Sequence, residues 1–330
     1  MSFVMLPASF AVLLAGAYFF TNAVEWAGHR LGLGEGAVGS LLAAVGTALP
    51  ESIIPVIALI TGGKADDVAI GAILGAPFML ATIAMALVGV SAVAFRRRRP
   101  QGVAIEAHRG TVVRDLGFFL VLFGVALALG FGAPAPLRVA VAVAFVLAYA
   151  VYALLTVRGG GGVQEAASLK PLYLDTSRDD PPANGAIALQ LLVALGAIVG
   201  GSHLFVDELL HVADRVGVSV LVLALVLAPL ATELPEKANS FLWTREGKDT
   251  LALGNITGAM VFQSTLPVGL GLALTDWTLS GPSAVAAALG LVGGGLALVL
   301  LRLRGRFDPL GIVAWAALYA AFVVYVVVGG

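Results

Sequence analysis

Two short stretches put carboxylates beside prolines in otherwise apolar sequence: GTALPES, Gly46 to Ser52, and ATELPEK, Ala231 to Lys237. Glu51 follows Pro50, and Glu236 follows Pro235. A proline removes a backbone donor and clashes with the preceding turn, so it frees carbonyl oxygens. Carboxylates beside freed carbonyls make a set of hard oxygen donors, suited to a hard cation. A carboxylate inside a membrane span is costly, and such acids normally face a site. One of them alone is often a protonated structural group. Two, each after Thr-x-Leu-Pro, favour a single shared cation site with Glu51 and Glu236 as its metal ligands. Pro50 and Pro235 then shape it.

The second stretch adds Glu233 and Lys237. They are four residues apart with Glu first, the favourable order for a helical ion pair. Two readings stay open. Lys237 pairs with Glu233, which leaves Glu51 and Glu236 as the net negative charge, or it snorkels to the inner interface. An ammonium left among the acids would itself stand in for one monovalent cation. Lys237 is therefore a site-modulating residue, and Glu233 belongs to the cation-binding set.

The elements that position these groups must cross a membrane. The chain has 330 residues, 59% hydrophobic and only 12% charged, with a mean hydropathy of +0.99. Soluble domains carry about 25% charged residues. Apolar runs of spanning length lie near 4–26, 36–61, 67–95, 112–131, 136–157, 185–211, 217–243, 250–274, 282–301 and 309–328. These are about ten candidates for helices, since a span needs about 20 apolar residues. Residues 158–184 are rich in Gly, Pro and charge and read as a flexible cytoplasmic linker. There is no cysteine, hence no disulfide or thiolate site.

Basic residues sort to one side if the spans alternate. Arg30, Arg96 to Arg99, Arg109, Arg114, the linker, Arg245, Lys248, Arg302, Arg304 and Arg306 fall together. Only Lys64, Arg138 and Arg215 fall opposite. The positive-inside rule puts the basic loops in the cytoplasm and both termini outside. Beside a span, the Arg96–Arg99 run is a topology signal rather than a nucleic-acid contact.

The two stretches are also a repeat. Glu236 lies 185 positions after Glu51, and the same offset carries Phe20 onto Phe205, Gly32 onto Gly217 and Leu49 onto Leu234. Gly71-xxx-Gly75 answers Gly254-xxx-Gly258, pairs that favour close helix packing over a ligand site. The chain divides into an N-terminal repeat, 1–157, the linker, and a C-terminal repeat, 185–330. Each holds about five spans. An odd number reverses the second half, so the expected fold is an all-α polytopic membrane protein with inverted-topology repeats. Small residues at Gly16, Gly196, Gly200 and Gly201 favour close contact between the spans that lack the motif.

The paired Thr-x-Leu-Pro-Glu motifs, the inverted halves and GNITGAMVF, Gly254 to Phe262, resemble the sodium/calcium exchanger family of the cation/calcium antiporter superfamily, of prokaryotic type. The resemblance covers nearly the whole chain. It implies exchange of calcium against sodium or protons by alternating access in a prokaryotic plasma (inner) membrane. It adds Thr47 and Thr232 to Glu51 and Glu236 as cation ligands, and Asn255 of the following helix. It implies no cofactor, only the transported calcium, sodium or proton as ligand. The partners are inorganic cations and membrane lipid, with no nucleic acid.

Departures from the family pattern bear on which ion is carried. Ala48 and Glu233 replace a serine of the motif, and Pro77 and Met260 stand where the family has a ligand. Gln263 or Ser264 is the candidate substitute. This thinner oxygen set keeps a second reading open, a monovalent-cation/proton antiporter or another divalent specificity. A third is a membrane cation sensor that binds without transport. His203, Asp207 and Glu208 could suggest a metalloenzyme, but interface roles suit them better. No HExxH, Gly-x-Ser-x-Gly or P-loop is present, so hydrolysis and ATP-driven pumping lack support.

Overall fold

A computed structural model describes residues 2–30, 49–158, 170–175, 182–279 and 281–329. In chain order these give α1 (Ser2–Arg30), α2 (Leu49–Thr61) and α3 (Ala65–Met79), which continues through a π-helical turn (Leu80–Ala84) into α4 (Met85–Ala94). Then come α5 (Arg109–Leu129), α6 (Ala135–Arg158), α7 (Asn184–Val216), α8 (Val220–Thr232) and α9 (Leu234–Arg245). The chain ends with α10 (Asp249–Gln263), α11 (Leu266–Leu274), α12 (Gly281–Arg304) and α13 (Pro309–Gly329). Apolar sequence in lipid must satisfy its backbone within the segment, which is why the spans are helical. Ile105 and Phe307 form an isolated antiparallel bridge between two loops.

Among the described residues, eight helical stretches are long and apolar enough to cross a bilayer. Two other expected spans, 36–61 and 217–243, contain the shorter apolar helices Pro50–Thr61 and Val220–Leu230. The 217–243 span is not one helix. It breaks into α8 and α9 at Glu233. The 250–274 span breaks likewise at Ser264–Thr265, with Pro267 opening α11. The part of the 36–61 span that carries Thr47 and Ala48 lies outside the described residues.

The α3–α4 and α10–α11 stretches are the most enclosed. Around them Phe78, Phe119, Phe123, Trp277 and Trp315 pack from α3, α5, α13 and the segment that precedes α12. Outer helices turn large apolar side chains outward, among them Val143, Leu192 and Val327, as lipid-facing helices do.

Glycine decides two helix contacts. A Cβ on Gly71 would lie 2.5 Å from the Cβ of Ala224, and one on Gly75 would lie 2.3 Å from the carbonyl oxygen of Leu225. The first glycine pair therefore serves close packing of α3 against α8. The second pair does not repeat this among the described residues. Gly254 has no described atom near its missing Cβ, and Gly258 has only the Tyr152 hydroxyl at 3.5 Å. At the long α1–α7 contact, Gly16 fits against Ile198 and Gly201 against Leu13. Gly196 and Gly200 meet no described neighbour, so close contact there falls to Gly16 and Gly201 alone.

One part of the expected flexible linker is tied down. Asn22 donates to the carbonyls of Lys170 and Pro171, and Trp26 Nε1 donates to Lys170 at 2.9 Å. Leu174 N–H donates to Gln190 Oε1 at 2.8 Å, and Tyr173 stacks on Tyr18. Residues 170–175 thus form a clasp on α1 and α7 rather than free chain.

The arginine run is not uniform either. Arg99 is fully buried and forks onto Asp249, with N–O distances of 2.7 and 2.9 Å. It also donates to the carbonyls of Gly102, Ala104 and Thr244. Arg96 to Arg98 are exposed.

Candidate cation site

The break between α8 and α9 builds the site. Glu233 has φ −90° and ψ 4° and serves as the end of α8 and the cap of α9. Pro235 falls in the first turn of α9, where its missing N–H leaves nothing unsatisfied. The interruption therefore precedes the proline, which starts the second helix instead of stopping the first. Glu236 follows in the same first turn, where the helix dipole favours a negative charge. Glu51 holds the corresponding place in the first turn of α2.

The ionisable groups of the two motifs are enclosed: Glu51 is 6% exposed, Glu233 1%, Glu236 7% and Lys237 5%. Lys237 Nζ makes an ion pair with Glu233 Oε2. It also faces the carbonyl oxygen of Pro229 at 3.4 Å, in the last turn of α8. Pairing is therefore the arrangement adopted, and Lys237 does not snorkel. Helix α2 packs against α8, and Glu51 lies within electrostatic reach of Glu236, Glu233 and Lys237, so Glu51 and the second motif share one region.

Several oxygens here lack hydrogen-bond donors. Glu51 Oε2 and Glu233 Oε1 are buried and accept no hydrogen bond from any described residue. Such acceptors are costly unless a cation, a proton or water meets them. Thr232 is buried too, and its hydroxyl donates to the Ala228 carbonyl at 3.1 Å, which leaves the oxygen's lone pairs available. Thr47 lies outside the described residues.

Asn255 reaches this region through its nitrogen. Nδ2 donates to the main-chain carbonyl of Glu236 at 3.1 Å and to Ser240 Oγ at 3.0 Å. Ser240 in turn donates to Ala252 at 3.1 Å. This brace fixes α9 on α10 just where Glu236 sits.

Pro77 and Met260 are buried in α3 and α10, and neither is a hard-cation ligand. Ser264 spends its hydroxyl proton on the Val261 carbonyl. Gln263 Oε1 is buried without a donor. Among the described residues, no three His, Cys, Asp or Glu side chains converge as a ready metal cluster. His203, Asp207 and Glu208 of α7 form no such group.

Asp115 escaped the sequence reading. It is buried on α5, accepts a hydrogen bond from Thr257 of α10 at 2.8 Å and meets Arg114 at 3.0 Å. Its position inside the 112–131 run was the available signal, masked by the neighbouring arginines.

Known proteins match this chain in sequence and in fold. The model of the family described as sodium/calcium exchanger protein matches residues 1–158 and 186–328. The protein named "Putative antiporter CaxA" from Alkalimonas amylolytica is 25% identical over 317 residues, which cover 95% of this chain and 94% of that protein. The crystal structure of the H+/Ca2+ exchanger CAX superimposes with a TM-score of 0.74 at 19% identity, over 99% of this chain and 86% of that one. The sodium-calcium exchanger NCX_Mj gives 0.60 at 18% identity, over 98% of each chain. The family model spans both halves and the same helical fold recurs in solved exchangers, so this chain belongs to the sodium/calcium exchanger family and is a secondary transporter, not an enzyme.

Proposed function

We propose that this protein is a secondary-active antiporter that exchanges calcium against sodium or protons by alternating access. The observation that carries this reading is the buried helix break at Glu233, which sets Glu233, Glu236 and Lys237 within electrostatic reach of Glu51. Glu51, Glu236, Glu233, Thr232 and Thr47 form the cation site, with Glu51 and Glu236 as the metal ligands. Asn255 holds the site's backbone, and Pro50 and Pro235 shape it.

The architecture is two inverted repeats, 1–157 and 185–330, joined by the cytoplasmic linker 158–184. Helix pairing supports it. The first span packs on the sixth as α1 on α7, and the fourth on the ninth as α5 on α12. The third span meets the ninth, as α3 on α12, and the eighth meets the fourth, as α10 on α5. These pairs exchange under a two-fold relation between halves. The motif-poor α1 and α7 slide together past the remaining core, with Gly16 and Gly201 permitting their close contact. The protein sits in a prokaryotic inner membrane with both termini outside.

A monovalent-cation/proton antiporter is the second reading. Pro77 and Met260 favour it, because they leave fewer oxygens than the six to eight that calcium takes. Flux in reconstituted vesicles separates the two. Radiocalcium uptake driven by an outward sodium or proton gradient is the expected result. Gradient-driven sodium/proton exchange without calcium movement would establish the second reading instead.

A further inference from the structure

A broken transmembrane helix offers a cation two things: carbonyls at the end of its first half and the negative pole of that half's dipole. Here both are already used. Lys237 Nζ stands at the end of α8, against the Pro229 carbonyl and in contact with Glu233 Oε2. Its stem comes from the first turn of α9, so the ammonium bridges the break from inside the protein. Neither side chain of the pair reaches solvent to any useful degree. Removing water from two charges is expensive, and a pair of this kind is rarely kept for stability alone.

We propose that Lys237 is a tethered cation that permanently fills one cation place of the transport site, and that it thereby fixes the exchange as one divalent cation against two monovalent cations or protons. The inference rests on the antiporter reading above. Glu51, Glu233 and Glu236 bring three negative charges, and Lys237 returns one positive charge. Two negative charges remain. One divalent ion neutralises them, and so do two monovalent ions. The loaded site is then equally neutral in both directions of the cycle, and exchange moves no net charge across the membrane.

Glu233 is the residue that makes this work. Its Oε2 holds Lys237, while Oε1 remains buried without a donor. Glu233 thus cancels the ammonium and still presents an oxygen. Lys237 sets the coupling ratio, but it is a positioning and specificity residue, since it touches the site's carboxylate and not the transported ion.

The test uses the full protein in vesicles whose potential is clamped by valinomycin and potassium. The steady-state accumulation of radiocalcium against a fixed sodium or proton gradient is measured at several potentials. Accumulation independent of potential is expected. A carrier that moves one net charge would shift it by about 50-fold per 100 mV, and such a shift in the wild type would overturn the proposal. The second measurement is calcium titration of four proteins: wild type, Glu233→Gln, Lys237→Met and the double variant. Glu233→Gln exposes the ammonium and should weaken calcium binding by about tenfold or more. Adding Lys237→Met should recover most of that loss. Equal weakness in Glu233→Gln and in the double variant would refute the role of Lys237. If the wild type exchanges nothing under either gradient, the antiporter reading fails, and the four-protein titration still decides whether Lys237 acts as the site's cation.

Discussion

Asn255 Nδ2 donates to the main-chain carbonyl of Glu236, 3.1 Å away, and so ties α10 to the first turn of α9. The bond orients a carboxylate-bearing backbone without itself being a contact between the asparagine and an ion. A net hydrogen bond is worth about 1 kcal/mol, or roughly fivefold in an equilibrium constant. Asn255→Ala should therefore weaken cation binding by about that factor or somewhat more, while the protein still inserts and folds. Calcium titration of the purified variant checks this. Abolished binding with intact folding would instead mark Asn255 as a direct ligand.

Arg99 and Asp249 make a buried, forked pair that joins the loop after α4 to the start of α10. Removing one partner leaves an uncompensated buried charge and costs about 3–5 kcal/mol. Arg99→Met should lower the thermal unfolding temperature in detergent clearly. Arg99→Met with Asp249→Leu should lose much less, since no lone charge remains. Equal destabilisation by the single and double variants would mean that the backbone bonds to Gly102 and Ala104 matter more than the ion pair.

Gly75→Ala should be harmful and Gly258→Ala tolerated, although the sequence repeat makes the two positions equivalent. A Cβ at Gly75 meets the Leu225 carbonyl at 2.3 Å, and the carbonyl belongs to a helix that cannot yield alone. Overpacking of this kind costs about 1–3 kcal/mol. Thermal unfolding of both variants in the same detergent gives the comparison.

Much of the fold follows from the sequence, because span length and hydropathy are local properties. The helix break was legible for the same reason: Glu233, Pro235, Glu236 and Lys237 interrupt a run without charge. Its position was not, since proline suits the first turn of a new helix as well as the end of an old one. The Glu233–Lys237 pair was half legible. Spacing allowed it, but only the enclosed surroundings exclude snorkelling. Arg99 with Asp249, and Asp115 with Thr257, were not legible at all. Each joins segments more than a hundred positions apart in the chain, and no local pattern carries such a pairing. Local charge pattern also hid the clasp at residues 170–175, whose anchors are backbone carbonyls and the side chains of Asn22, Trp26 and Gln190.

Orientation is open to direct labelling. A cysteine at Leu174 in the clasp segment should resist a membrane-impermeant reagent applied to intact cells, and one at Asp276 should react. The native chain has no cysteine, so background labelling is absent. The opposite pattern would invert the topology. Labelling at both positions would change the number of spans.

The central claim is that Glu51 and Glu236 act together in one transport site. Glu51→Gln and Glu236→Gln keep size and polarity and remove one charge each. Radiocalcium exchange should be measured in vesicles holding equal amounts of correctly inserted wild type and of each variant. Loss of one of the two net negative charges should reduce exchange to a small fraction of the wild-type rate in both variants. Wild-type exchange by either variant would contradict the shared site.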